Sequence, residues 1–300
     1  MNDTGQESPA ERDHPPIERL ILANGWRGIE RVARYLPPDY AARAARALWD
    51  HRARVLITTG FYVGGHPETD GPPGAYFLGR ALSRFGAAVG FVADADPLAL
   101  LAALHEQVAW GAEAPPPEFL PFPILDAAAS RTFAAALTGR WRPSAVVAIE
   151  RCSRTRGGQY LNFRRVDISP WTAQVDDLLA YPDAVTVGIG DGGNEIGMGS
   201  LAAAITAELG IPEPAATPAQ YPVLATVSNW GAYGLIAYLS RLAGRDLLPA
   251  DAEEIAGLDA LVANGAVNGV SGRAEPIIDG FAPEIQVALL ARLRGVIRET

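Results

Sequence analysis

Short runs rich in valine and isoleucine recur along the chain, each followed by a glycine or polar turn and then by a segment with helical spacing. That alternation constrains the fold more than any other feature. Strands whose neighbours are helices must be joined by crossover connections, and crossovers build parallel sheets covered by helices. The runs at Val55–Thr59, Ala88–Ala93, Ala145–Ile149, Val185–Ile189 and Val223–Val227 are read as strands. Helices are expected over Tyr40–His51, Gly74–Phe85, Pro97–Trp110, Ala127–Arg140, Glu195–Leu209, Trp230–Ala243 and Pro283–Arg298. The fold class that follows is α/β, a mainly parallel sheet with helices on both faces in three layers. Ala112–Pro123 is crowded with prolines and reads as a rigid connector without regular structure, and Glu213–Pro222 as a second loop. Residues 1–16 are polar, mix acids with prolines and carry no apolar signal region, so they read as a disordered leader before one domain spanning 17–300.

Ligands of a parallel sheet bind where strands end and helices begin, so the junctions matter most. The first passes through Thr58-Thr59-Gly60 into His66, Glu68, Thr69, Asp70 and the pair Pro72-Pro73. It concentrates ionisable groups in one loop, although Asp70 also fits as a helix cap. The second, from Glu150 to Arg165, holds five arginines among Cys152, Tyr160 and Asn162. Arginine grips carboxylates through a planar fork, which makes Arg151 and Arg164 candidate holders of an acidic ligand. The third, Gly188-Ile189-Gly190-Asp191-Gly192-Gly193-Asn194-Glu195, matches the spacing of a dinucleotide-binding glycine loop. Its acids oppose that use, since Asp191 and Glu195 would repel a pyrophosphate and compete with it for the loop amides. An ammonium, a proton or a metal suits them better. A fourth junction carries Ser228 and Asn229, which suit either caps or ligand donors.

All 25 basic residues are arginine, so a lysine Schiff base to pyridoxal phosphate and a phosphate-binding loop lysine are both excluded. The net charge of −9 argues against a nucleic-acid partner, and no apolar run approaches the roughly 20 residues that cross a bilayer. The single cysteine, Cys152, rules out an internal disulfide framework. A cytoplasmic protein acting on a small molecule is expected, with room for a homo-oligomer.

Together, Glu68–Ala75 (ETDGPPGA), the stretch from Glu150 to Ser169, Gly188–Gly199 (GIGDGGNEIGMG) and Ser228–Gly234 (SNWGAYG) resemble the D-glutamate cyclase family over most of the chain. One departure is Phe163, which stands where methionine is usual. The resemblance implies conversion of D-glutamate to 5-oxo-D-proline and water. Under that reading Asp191 or Glu195 is the base and Glu68 or Asp70 supplies the second acid. Gly192 and Gly193 amides, with Thr59, receive the oxyanion, and Arg151 holds the α-carboxylate. Gly60, His66, Thr69, Tyr160, Asn162, Arg164, Asn194, Ser228 and Asn229 complete the expected substrate contacts. No organic cofactor is called for. A divalent cation, Mg or Mn, is compatible with Asp70, Asp191 and Glu195. The competing readings are an NAD-dependent oxidoreductase using the GIGDGG loop, and a cyclase-like enzyme or a binding protein for another small acidic amino or hydroxy acid.

Overall fold

The computed structural model describes residues 14–112 and 114–299. Most of the expected leader lies outside the described residues. By His14 the chain is already packed: its Nδ1 lies 2.8 Å from the Pro38 carbonyl and its ring sits edge-on to Tyr40. The elements then follow in order as α1 (Pro16–Ile21), α2 (Ile29–Ala33), α3 (Tyr40–Asp50), β1 (Arg54–Gly60), β2 (Tyr62–Val63), β3 (His66–Pro67), α4 (Pro72–Ser83) and β4 (Ala88–Ala93). After these come α5 (Ala95–Gln107), β5 (Glu118–Pro121), α6 (Ala127–Trp141), β6 (Ala145–Arg151), β7 (Val185–Gly190), α7 (Ala202–Leu209), β8 (Tyr221–Leu224), α8 (Ser228–Ala243), α9 (Asp251–Ala263) and α10 (Pro283–Arg298).

Six strands form one parallel sheet in the order β5-β4-β1-β6-β7-β8, and β2 and β3 form a separate antiparallel hairpin. Because side chains alternate across a strand, each central strand feeds two cores. Val55, Ile57, Val89, Phe91, Val147 and Ile149 join the large core with α1, α3, α4, α8, α9 and α10. Leu56, Val92, Val146 and Ala148 face the other way, onto α6 through Leu137 and Trp141 and onto the 173–184 segment. The result is three layers, with burial of both faces explaining why these strands read as continuous apolar runs.

Three expectations need correction. Ala112–Pro123 contains β5, paired with β4 from Gly90 opposite Glu118 to Ala93 opposite Pro121. Proline is tolerated there because an edge strand bonds on one side only. The helix expected from Glu195 begins at Ala202, because Gly197 and Gly199 donate their amides to the Thr217 carbonyl rather than to a helical turn. The strand expected at Val223–Val227 is Tyr221–Leu224; beyond it the chain turns away, Thr226 N–H donating to the Ile21 carbonyl, and delivers Ser228 to the start of α8.

Candidate active site

The chain runs outward from β1 to β4 and β5, then returns to β6 and proceeds through β7 and β8 in the opposite direction. The order therefore reverses between β1 and β6, and their carboxyl ends splay to leave the crevice in which doubly wound sheets bind ligands. At that crevice the β1–β6 register slips: Thr59 faces Ile149 but Gly60 faces Arg151. Glu150 is the extra residue of this bulge and adopts φ 42°, a left-handed conformation rarely taken by a residue with a side chain. Such backbone persists only where its surroundings hold it, and here Ser228 Oγ donates to Glu150 Oε2 at 2.6 Å. The bulge separates two neighbours. Glu150 turns into the crevice, while Arg151 turns beneath it and makes a fork-to-fork pair with Asp94, Nη1 to Oδ2 at 2.7 Å and Nη2 to Oδ1 at 2.8 Å.

Two helices are joined at their N-termini by reciprocal capping. Asp70, at the start of α4, accepts the Ser228 and Asn229 amides of α8, both at 2.9 Å. Asn229 Oδ1 in turn accepts the Gly71 and Gly74 amides of α4 at 3.0 and 2.8 Å. Each cap satisfies donors that a helix start leaves orphaned, worth about 1 kcal/mol per helix. Gly71 is required between them: with φ 101°, a Cβ there would lie 2.4 Å from Thr59 Oγ1 and 2.9 Å from the Glu150 Cβ.

The glycine loop after β7 is pinned by its own acid. Gly192 and Gly193 donate their amides to the two carboxylate oxygens of Glu195, each at 2.8 Å. A Cβ on Gly190 would meet Glu195 Oε2 at 2.5 Å, so the loop must be this glycine-rich for the carboxylate to lie against the strand end. Beside it Asp191 is fully buried; Oδ1 accepts from Arg27 Nη1, and Oδ2 has no hydrogen-bond partner.

Glu68, Asp70, Glu150, Asp191, Glu195 and Asp279 thus converge as buried carboxyls, each at most 5% exposed. Among the described residues, Arg27 is the one arginine ion-paired to any of them, bridging Asp191 and Asp279 Oδ2, the latter at 2.9 Å. Its guanidinium also lies 4.8 Å from the Trp26 ring and 4.9 Å from the Phe163 ring. Burial, reinforced by Asp279 and Asp70, holds the Glu68 carboxyl well above the usual range. Burial does the same for Glu150, with Asp191 and Glu195 adding to it. Asp70 is pushed up to about 8, chiefly by burial and then by Asp279, against the lowering pull of its two α8 amides. Asp191 and Glu195 are also raised by burial, although Arg27 opposes the shift at Asp191 and the loop amides oppose it at Glu195. Burial works against the charge on Arg27, but Asp191, Asp279, Glu150 and Glu68 outweigh it. With its pKa pushed up to about 8, Asp70 holds its proton at neutral pH, and burial biases Glu68, Glu150, Asp191 and Glu195 in the same direction.

A cavity of about 250 Å³ opens above the cluster, large enough for a small amino acid. Glu68, Glu150 and Glu195 form its acidic floor, Arg27 and Arg164 its cationic wall, and Trp26, Phe61 and Phe163 its apolar rim, with Asn162 and Asn194 between.

Of the residues expected to act, Glu68, Asp70, Asp191 and Glu195 meet in this one cluster, and Asn162, Arg164 and Asn194 line the cavity. Ser228 and Asn229 belong to the capping array under it. Others fall elsewhere. Arg151 is spent on Asp94 and the Ala173 carbonyl and is fully buried, so it does not hold a substrate carboxylate. The Gly192 and Gly193 amides are occupied by Glu195, which removes them as oxyanion donors and removes Glu195 as an open metal ligand. Tyr160 is buried with its hydroxyl donating to Asp176 at 2.5 Å. Thr69 Oγ1 donates to the Ile277 carbonyl at 2.7 Å. Gly60 is packed against Pro97 and its carbonyl faces Arg151 at 3.4 Å. His66 is exposed on the β2–β3 hairpin, outside the cavity lining. Thr59 keeps a buried hydroxyl without a hydrogen-bond partner at the edge of the cluster. The reading missed Arg27, Glu150 and Asp279. The Glu-Arg pair after a strand was the available sign for Glu150; nothing local marks the other two.

Fold and site define a class: a doubly wound α/β protein with a buried carboxylate centre under a small polar cavity at its switch point. The chain belongs to the D-glutamate cyclase-like family, C-terminal part, whose pattern matches residues 17–294. It is 33% identical over 241 residues to a human protein named D-glutamate cyclase, mitochondrial, an overlap covering 74% of this chain and 38% of the human one. The chain therefore corresponds to well under half the length of that relative. Among the described residues no helix is long and apolar enough to cross a membrane.

Proposed function

We propose that this chain cyclises D-glutamate to 5-oxo-D-proline and water. The observation that carries the reading is the cavity itself, with carboxyls raised above their usual range on its floor and two arginines on its wall. Cyclisation needs that combination. The ammonium must lose a proton before its nitrogen attacks the γ-carboxyl carbon; the C–N bond then forms, the nitrogen loses a second proton and a C–O bond breaks. One carboxyl oxygen leaves as water after taking two protons. Two protons therefore pass from nitrogen to oxygen and none is consumed overall, which suits neighbouring carboxyls that alternate as base and acid.

Glu195 and Glu68 are the carriers this reading favours, because both line the cavity, whereas Asp70 and Asp191 lie outside its lining. Glu195 takes the ammonium proton and Glu68 returns one to the departing oxygen. Arg164 holds the α-carboxylate in the place first expected of Arg151, and Arg27 offsets charge developing on the γ-carboxyl. The family and the relative's name support the substrate class. Incubating the protein with D- and with L-glutamate, with Mn²⁺ present, and resolving 5-oxoproline by chiral chromatography tests it. Product from the D isomer alone is expected; no product from either isomer would overturn the proposal.

A further inference from the structure

Below the floor, Glu150 also faces two carboxyls that lie outside the cavity lining, Asp70 and Asp191. One carboxylate oxygen each from Asp70, Glu150 and Asp191 lies within 4.8 Å of the other two, and all three residues are buried. Oxygen ligands at the 2.0–2.6 Å typical of magnesium, manganese or calcium stand no further apart than about 4–5 Å when opposite each other. Three such oxygens can therefore share one ion.

Two further observations point to a ligand there. Asp191 Oδ2 has no hydrogen-bond partner although the residue is completely buried, and its other oxygen is taken by Arg27. The Thr59 hydroxyl is equally buried and equally unpartnered, lying against Gly71 where that glycine borders Glu150. Buried polar atoms left without partners cost roughly 1–3 kcal/mol each. Here both stand beside the three converging carboxylate oxygens, where a cation would satisfy them.

We infer that Asp70, Glu150 and Asp191 form a binding site for one divalent cation of the Mg²⁺ or Mn²⁺ type. This ligand set differs from the one expected at first: Glu150 takes the place of Glu195, whose oxygens are both committed to loop amides. The bulge explains the set, because the positive φ of Glu150 is what turns a third carboxylate toward Asp70 and Asp191. Ion binding stands on this geometry alone; only the ion's part in cyclisation, stabilising the oxyanion that the loop amides cannot reach, rests on the functional reading.

Electron paramagnetic resonance of Mn²⁺ added to the intact protein, without substrate, tests the site. Free Mn²⁺ signal should disappear to one equivalent per chain and return when Mg²⁺ is added in excess. Asp191→Asn and Glu150→Gln should each weaken binding roughly tenfold or more, since affinity follows the number of charged ligands. Glu195→Gln should bind Mn²⁺ as the unaltered chain does. Circular dichroism confirms that each variant is folded, and the unaltered protein alone already decides whether an ion binds. No binding at millimolar Mn²⁺, or binding unmoved by both ligand substitutions, would overturn the assignment. A protein that binds Mn²⁺ yet leaves D-glutamate untouched upholds the site and sinks the cyclase reading, so the two failures are distinguishable.

Discussion

Glu254 on α9 is a carboxyl outside the site that the fold has paid to bury. It is 1% exposed, accepts a hydrogen bond from the Tyr233 hydroxyl at 2.6 Å, and leaves Oε1 without a partner. Burial raises it from the usual 4.5 to about 7, against the lowering pull of Tyr233. The folded state thus binds this proton more tightly than the unfolded chain. Its contribution is intact below pH 4.5, is lost as pH rises toward 7, and costs about 3 kcal/mol above that. Glu254→Gln keeps the acceptor and removes the charge. The variant should melt several degrees higher than the unaltered protein at pH 8 and nearly level with it at pH 4.5; parallel melting curves at both pH values would contradict this. Residue chemistry was unevenly legible. Asp191 and Glu195 announce themselves because glycines surround them, and Glu68 and Asp70 because they crowd one loop. Arg27 and Asp279 meet across 252 residues of chain, and no local pattern encodes such a pairing. Arg151 misled because its sequence neighbours are those of a ligand clamp, whereas the bulge decides which way it points.

At the scale of elements, the pairing of α4 with α8 through Asp70 and Asn229 holds the acidic floor in place. Both capping residues were assigned a capping alternative from sequence, but as caps of their own helices. Each caps the other's, since Asp70 lies before α4 and bonds to the amides of α8. Asn229→Ala removes the acceptor of the buried Gly74 amide, while the Gly71 amide keeps Asp70 Oδ1 at 2.9 Å, and should cost about 1–3 kcal/mol in urea unfolding, with an unchanged dependence on urea concentration. A loss below the error of the measurement would mean that α4 starts without this cap. The strands were readable wherever both faces are buried, because β1, β4, β6 and β7 each then carry a run dominated by valine, isoleucine, alanine and glycine. β5 was hidden because an edge strand tolerates the prolines that usually deny one. α9 was hidden as well; its N-terminal acids and its buried Leu258 and Leu261 stand in a stretch with no strong apolar periodicity.

The whole molecule places its chemistry by topology. Six parallel strands reverse direction of growth between β1 and β6, and the crevice left there receives Thr59 from one strand, Glu150 from the next, the acids before α4 and the glycine loop after β7. The same strand order serves many dinucleotide-binding proteins, which makes the literal G-x-G-x-x-G match an attractive false lead. In those proteins the glycine turn follows the first strand and its amides stay free for phosphate. Here the turn follows β7, the fifth strand of the sheet in chain order, and its amides are closed by Glu195. Charge repulsion by Asp191 and Glu195 and the closure of the loop amides by Glu195 weigh against a bound pyrophosphate by two independent physical routes. The account's central claim is that proton transfer at the buried carboxylates makes the product. Its most direct test compares 5-oxo-D-proline formation at saturating D-glutamate by the unaltered protein, Glu195→Gln and Glu68→Gln, each first shown to be folded. The account predicts a fall in kcat of about a hundredfold or more in both variants; turnover near that of the unaltered protein in the two would contradict it.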